Sequence, residues 1–163
     1  MKSGWLALFV ILSLGLGVAH AATVQWLDLK ELSARSSVVF VGEVVQQRTR
    51  LAGPPHQVFT QTAFVVEEVL KGSLPARWTL EQLGGVSGEG QHRLEQRVPG
   101  YARFTVGERV VLFLERADTD ALVVTGLAQG KYRLKDQQGQ IVAVRNMGGL
   151  EFVGETRAAD LHL

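Results

Sequence analysis

Between residues 36 and 146 apolar and polar positions alternate in short runs, the pattern of half-buried strands. "SSVVFVGEVVQQ" (36–47) is rich in β-branched residues, with Gly42 in its middle as the expected site of a bulge or bend. "VFTQTAFVVEEVLKG" (58–72) continues the pattern over a longer span, and "WTLEQL" (78–83) is a short strand. "RFTVGERVVLFLE" (103–115) reads as two strand pieces about Gly107-Glu108, in which Phe104, Val106, Val110, Leu112 and Leu114 share a parity. "ALVVTGL" (121–127), "KYRLK" (131–135) and "QIVAVRN" (140–146) complete the set, and "DQQG" between the last two is a hairpin turn ending in glycine. "LAGPPH" (51–56) is a turn or loop between strands.

Only one stretch departs from this period. Asp28 stands three residues before Glu31, a capping-box spacing, and Trp26, Leu29 and Leu32 share one side of a helical wheel. These residues predict a short amphipathic helix over 27–36. "ETRAADLHL" (155–163) is expected as one helical turn or a frayed tail. Strand does not alternate with helix, which argues against a doubly wound α/β sheet. Six to eight antiparallel strands with one helix point to a mainly β fold, a small barrel with a short N-terminal helix. Val39, Val41, Phe64, Val66, Leu112 and Leu114 are the expected inward-facing residues, with a parity slip allowed at Gly42.

Composition adds a compartment. Residues 1–21 have a positive start at Lys2, an apolar run from Trp5 to Val18 and the small-x-small sequence Ala19-His20-Ala21, the three parts of a cleaved export signal. The run is shorter than the about 20 residues that a bilayer core requires, so no stable membrane anchor is expected. Cleavage after Ala21 removes 21 of 163 residues and leaves 142, residues 22–163, the size of one exported domain in the periplasm or the medium. That segment carries 16 basic and 16 acidic side chains, so no global field draws it to nucleic acid or anionic lipid. The chain is cysteine-free, which excludes disulfides, thiolate metal sites and a thiol nucleophile.

The chemical signals are few. "GGVSGEG" (84–90) lacks the Lys-Ser and the following helix of a phosphate loop, and it runs on to Pro99-Gly100. Ser87 misses the G-x-S-x-G elbow by one glycine, and nothing in the sequence sets His92 against it as a base. The stretch therefore reads as a glycine-rich excursion between strands, with Ser87 exposed. His56, His92 and His162 are too far apart for a metal pair, and Glu67-Glu68 alternate across a strand so that only one can face a site. Basic and aromatic residues interleave over 93–109 and in "KYRLK", but Glu89, Glu95 and Glu108 break up the field that a nucleic acid would need. No catalytic, cofactor-binding or metal-binding residue is assigned, and no cofactor is expected.

The order of a short helix, "SSVVFVGEVV", a long strand ending "VEEVLKG", a glycine-containing loop and "VGERVVLFL" resembles the netrin-like domain of the tissue inhibitors of metalloproteinases. "PGYARFTVGERVVLFLE" and "LAQGKYRL" are similar to exported bacterial domains of the same layout. The resemblance covers residues 27–115 and implies an OB-type barrel. The inhibitors chelate the protease zinc through an N-terminal cysteine, whereas this chain would start Ala22-Thr23-Val24, so no inhibitory residue carries over. The leading expectation is an exported, non-enzymatic binding or interaction domain with a protein partner and no nucleic acid. A protease inhibitor or protease-associated protein is the alternative, and a small serine hydrolase using Ser87 and His92 is the third reading. The exported protein should have the mass of residues 22–163 by mass spectrometry, and an intact N-terminus in the membrane fraction would refute the leader.

Overall fold

The structure is a computed structural model that describes residues 22–90, 93–147 and 150–153. The expected leader, His92 and the 155–163 tail lie outside the described residues. Its elements are β1 (Ala22–Gln25), α1 (Leu29–Arg35), β2 (Val38–Ala52), β3 (Gln57–Lys71), β4 (Arg77–Leu83), β5 (Gly85–Ser87), β6 (Leu94–Gln96), β7 (Arg109–Arg116), β8 (Leu122–Val124), a 3-10 turn (Leu127–Gly130), β9 (Lys131–Gln137), β10 (Gln140–Arg145) and β11 (Leu150–Val153).

Helix α1 starts where the capping box places it. The Asp28 carboxylate accepts from the Glu31 N–H at 2.7 Å, and the Glu31 carboxylate accepts from the Asp28 N–H at 3.0 Å. The helix ends at Ser36, whose hydroxyl donates to the Leu32 carbonyl at 2.7 Å and shares a 2.8 Å bond with Thr125. That buried pair joins the end of α1 to the segment after β8.

The main sheet runs β10-β9-β7-β2-β3-β4, with β8 also paired to β7, and every ladder in it is antiparallel. Strand β2 runs on to Ala52, further than the pattern suggested, while β3 keeps its expected length; both have 15 residues, and "LAGPPH" forms their shared tip. Their ladder slips between Val39 and Phe40, between Val41 and Gly42, and between Val44 and Gln46. Gly42 is needed at one of these slips: a Cβ there would lie 2.7 Å from the Val65 carbonyl oxygen and 2.9 Å from the Phe40 ring.

Side chains of one parity share a face, and in β2 it is the even positions Val38, Phe40 and Val44 that take the main core, so the expected core is divided in two. Phe64, Leu112 and Leu114 are fully buried in the main cluster together with Phe40, and Val66 packs against it half-buried. The Phe40 and Phe64 rings meet edge to face at 5.6 Å, and Phe104 meets Phe64 in the same way at 5.3 Å. Val39 is buried on the opposite face, with Leu27, Leu32, Phe113 and Tyr132, and Val41 is half-buried. The 103–106 piece is not a strand. Phe104 reaches the core from irregular backbone, and Val106 is exposed.

The expected barrel is not formed. The sheet is open: among the described residues β4 and β10 are its outer strands, each paired on one side only, and β4 and β8 lie close without a ladder. Two further two-stranded ladders stand apart from it: parallel β1–β11 and antiparallel β5–β6. The netrin-like and OB-type descriptions therefore do not hold, and the inhibitor role they suggested loses its structural ground. Alternation marks which residues are strands, but closure depends on the outer strands meeting each other, which alternation does not encode. Among the described residues, no helix is long and apolar enough to cross a membrane.

Truncating Phe64 to alanine should cost about 3–5 kcal/mol in chemical denaturation. Ile141→Ala, on an exposed edge, should stay within about 0.5 kcal/mol of wild type. Equal effects would contradict this core.

Candidate functional site

The inner face of the long hairpin changes chemistry along its length. Near the middle of the sheet it presents Phe64 and Leu80; towards the tip, residues of the same parity are Thr60, Thr62 and Gln82. Register sets Thr49, Thr60 and Gln82 side by side across β2, β3 and β4, with Gln47 beside Thr62. The Gln47 amide donates to the Thr62 hydroxyl at 3.2 Å. This row lies beyond the end of the β2–β7 ladder, whose last pair is Glu43 with Arg109. No β7 residue borders it.

The glycine stretch covers this row. It was expected to be a plain loop, but it holds β5, which pairs Gly85 with Gln96 and Ser87 with Leu94 of β6. Three bonds dock the arm: Gly84 N–H to the Val58 carbonyl at 2.7 Å, the Thr60 hydroxyl to the Gly84 carbonyl at 2.7 Å, and Val58 N–H to the Gln96 side-chain oxygen at 2.8 Å. A Cβ on Gly85 would fall 2.2 Å from the Thr60 hydroxyl oxygen, at a φ of +131°, so the contact requires glycine. Ser87 is half-buried rather than exposed. His92 lies outside the described residues, so the Ser87–His92 pair has no geometry to report.

Between row and arm lies a cleft of about 420 Å³, walled on its far side by Arg97, Tyr101, Arg103 and Phe104. Its charges are set by few residues. Glu95 bonds to Arg97 at 2.6 Å and lies 3.7 Å from Arg93, and the Arg97 bond is the main cause that holds its carboxyl below the ordinary range. Among the described residues Arg103 forms no ion pair, so the cleft rim carries a cationic excess. The neutral floor and cationic rim provide hydrogen-bond donors, acceptors and ring faces, which is recognition chemistry. The sequence hinted at the floor in "TQT" (60–62), where hydroxyls occupy the apolar parity of β3.

A second depression, about 190 Å³, borders Tyr101 and Arg103 from the other side and is built on Glu108 and Lys131. Glu108 is buried and accepts from Lys131 at 2.5 Å and from the Thr105 N–H at 2.9 Å, with Arg133 3.8 Å away. Lys131 also donates to the Arg103 carbonyl and stacks over Phe104 at 4.6 Å. Burial holds the Lys131 ammonium below its ordinary range, while the bond to Glu108 acts in the opposite sense. These bonds tie β9 to the turn before β7 and act as a fastening for the wall that bears Arg103.

Among the described residues, no group of three or more His, Asp and Glu side chains could hold a metal ion. Glu67 and Glu68 both lie towards solvent, and Glu67 is engaged by the Arg109 guanidinium through bonds of 2.9 and 2.5 Å. On the outer face of the hairpin, Glu81 receives Arg50 at 2.8 Å and Gln61 at 2.9 Å.

Both carboxyls are held below their ordinary value, Glu67 chiefly by the Arg109 bond and Glu81 chiefly by the Arg50 bond and then the Gln61 bond. A carboxyl with a lowered pKa in the fold stabilises it fully above the unfolded value of 4.5, and that contribution is lost as pH falls through the folded value. The wild-type Tm should therefore drop on acidification through this window. The double variant Glu67→Gln/Glu81→Gln should start lower at neutral pH and fall less steeply. Parallel curves would show that these pairs contribute nothing.

No protein-family model matches the chain, and no curated protein or solved structure matches it.

Proposed function

We propose that the protein is an exported, non-enzymatic binding domain that holds a polar loop of a partner protein in the cleft between the long hairpin and the β5–β6 arm. One observation carries this reading: the row Thr49, Thr60, Gln82, placed in register across three strands under an arm that only glycine lets close. Rigid strands supply the floor and loops supply the cationic rim, the usual division between scaffold and recognition surface. Arg97 and Arg103 favour a partner loop with acidic or carbonyl-rich groups, since guanidinium forks match carboxylates. The export signal at residues 1–21 supports an encounter outside the cytoplasm.

The test is capture of partners from the native exported fraction by immobilised wild-type protein and by Arg97→Glu/Arg103→Glu. The wild type should retain a partner that elutes with salt, and charge reversal should abolish its capture while the Tm stays unchanged. Gly85→Ala should weaken capture as well, because the arm cannot dock. Indifference of capture to both variants would remove the cleft from the reading. Labelling of Ser87 by a serine-directed probe, lost in Ser87→Ala, would overturn the non-enzymatic assignment.

A further inference from the structure

The two outer strands of the sheet are not equivalent. Strand β4 carries the charges of Arg77 and Glu81 and has β8 close on its outer side, which leaves no width for another strand. Strand β10 pairs with β9 on one side, and among the described residues no strand pairs with it on the other. Its turn fixes which backbone groups point that way. Gln138 and Gly139 have φ of +56° and +83°, the left-handed pair of a two-residue hairpin, so Gln137 and Gln140 form the hydrogen-bonded closing pair. Bonded pairs then alternate, and Val142 and Val144 follow Gln140 in bonding to β9. The neighbouring ladders agree. Thr125 N–H bonds to the Phe113 carbonyl at 2.9 Å, so the odd residues of β7 bond on the side of β8 and β9. Val111 therefore takes Tyr132, which leaves Arg133 and Lys135 to bond Val144 and Val142.

Ile141 and Ala143 turn their N–H and C=O groups outward, and among the described residues no hydrogen bond reaches them. Such an edge is a template for another strand, and proteins guard it with charge, proline or a bulge. Residues 140–144 are Gln-Ile-Val-Ala-Val, and their ladder to β9 is continuous, so none of these guards is present. Ile141 is 58% exposed, the most open large apolar side chain among the described residues. On the same face Ala143 pairs with Leu134, and both are half-buried.

We propose that β10 pairs antiparallel with β10 of a second copy of this chain, joining two sheets into one. The register that uses these outward groups alone sets Ile141 opposite Ala143 of the second copy, and Ala143 opposite its Ile141, each pair exchanging both backbone bonds. Ile141 then covers Ala143 of the second copy, with Leu134 of that copy next in the row. The two Val142 side chains meet at the two-fold axis, as a non-hydrogen-bonded pair in which side chains approach most closely. The seam is its own complement: it is uncharged on both sides, and in each half one large apolar side chain lies over one small one. That self-complementarity favours a second copy over a foreign strand. A seam of one short strand buries less than the roughly 1,200 Å² of a stable interface, so the dimer dissociates on dilution. The inference goes beyond the cleft reading, and it brings two clefts into one particle.

Analytical ultracentrifugation of the exported protein from low micromolar to millimolar concentration tests this pairing. The mean mass should rise towards twice that of the monomer, and hydrogen exchange at Ile141 and Ala143 should slow as it does. Ile141→Pro deletes an outward N–H without touching the β9 ladder. It should keep the Tm of the dilute wild type and weaken association at least about tenfold. Val142→Lys sets two like charges against each other at the axis, and Val142→Glu does the same. Each variant, folded by circular dichroism, should be monomeric alone, and an equimolar mixture of the two should form a heterodimer. Neither a foreign strand nor a loss of fold would produce that rescue. A chain that stays monomeric at millimolar concentration, a dimer indifferent to Ile141→Pro, or folded Val142 variants that stay apart on mixing would each overturn the proposal.

Discussion

Over residues 39–43, β2 is paired with β3 on one edge and with β7 on the other, Val39 and Phe40 are buried on opposite faces, and the rest of the molecule is arranged around that segment. Its even-numbered side chains enter the main core, while Val39 packs under α1 with Leu32 and Phe113. A strand paired on both edges fixes the register at which each neighbour can meet it. The slips at Phe40, Gly42 and Gln46 let a pleated ladder satisfy that demand while β3 remains paired to it almost to its ends. Gly42 lies so close to the Val65 carbonyl that the central slip has room for no side chain.

The cleft follows from where this double coverage stops. Gly107 N–H donates to the Val44 carbonyl at 2.7 Å, and Val44 N–H donates to the Glu108 carbonyl at 2.9 Å, closing β7's contribution at that point. Beyond it β2, β3 and β4 continue as a three-stranded extension whose inner face needs another cover. The face answers with hydroxyls and amides in place of rings, and the glycine arm is the cover. The Glu108–Lys131 fastening fixes the turn that precedes β7, and Lys131 also holds the carbonyl of Arg103, so one ion pair both bounds the sheet and positions part of the cleft rim. A buried pair of this kind suits a positional role better than a stabilising one, because desolvation offsets much of its attraction.

The cleft uses side chains on the face of the extension, and Tyr101 on its far wall also borders the apolar groove between β4 and β8.

Local chemistry was enough to place much of this chain. The Asp28–Glu31 box marks the start of α1, Gly42 marks a slip, and "DQQG" makes the β9–β10 turn, with Gly139 at a φ of +83° and its N–H bonded to Asp136 at 2.8 Å. Alternation located most strands of the main sheet and the deepest residues Phe64, Leu112 and Leu114. Each of these signals lies within a few residues of the structure it specifies, which is why sequence alone reveals it. The opening of the sheet, the transfer of Val39 to the second face, the strand within the glycine stretch and the parallel pairing of β1 with β11 depend on partners far away in sequence. The cleft belongs to this second class: "TQT" names the hydroxyls, but only the register of three strands and the docking of a distant arm make them a surface. A period of two states that a residue is in a strand and that its neighbours face opposite ways; which strand lies beside it, and which of its faces is covered, is decided by tertiary packing.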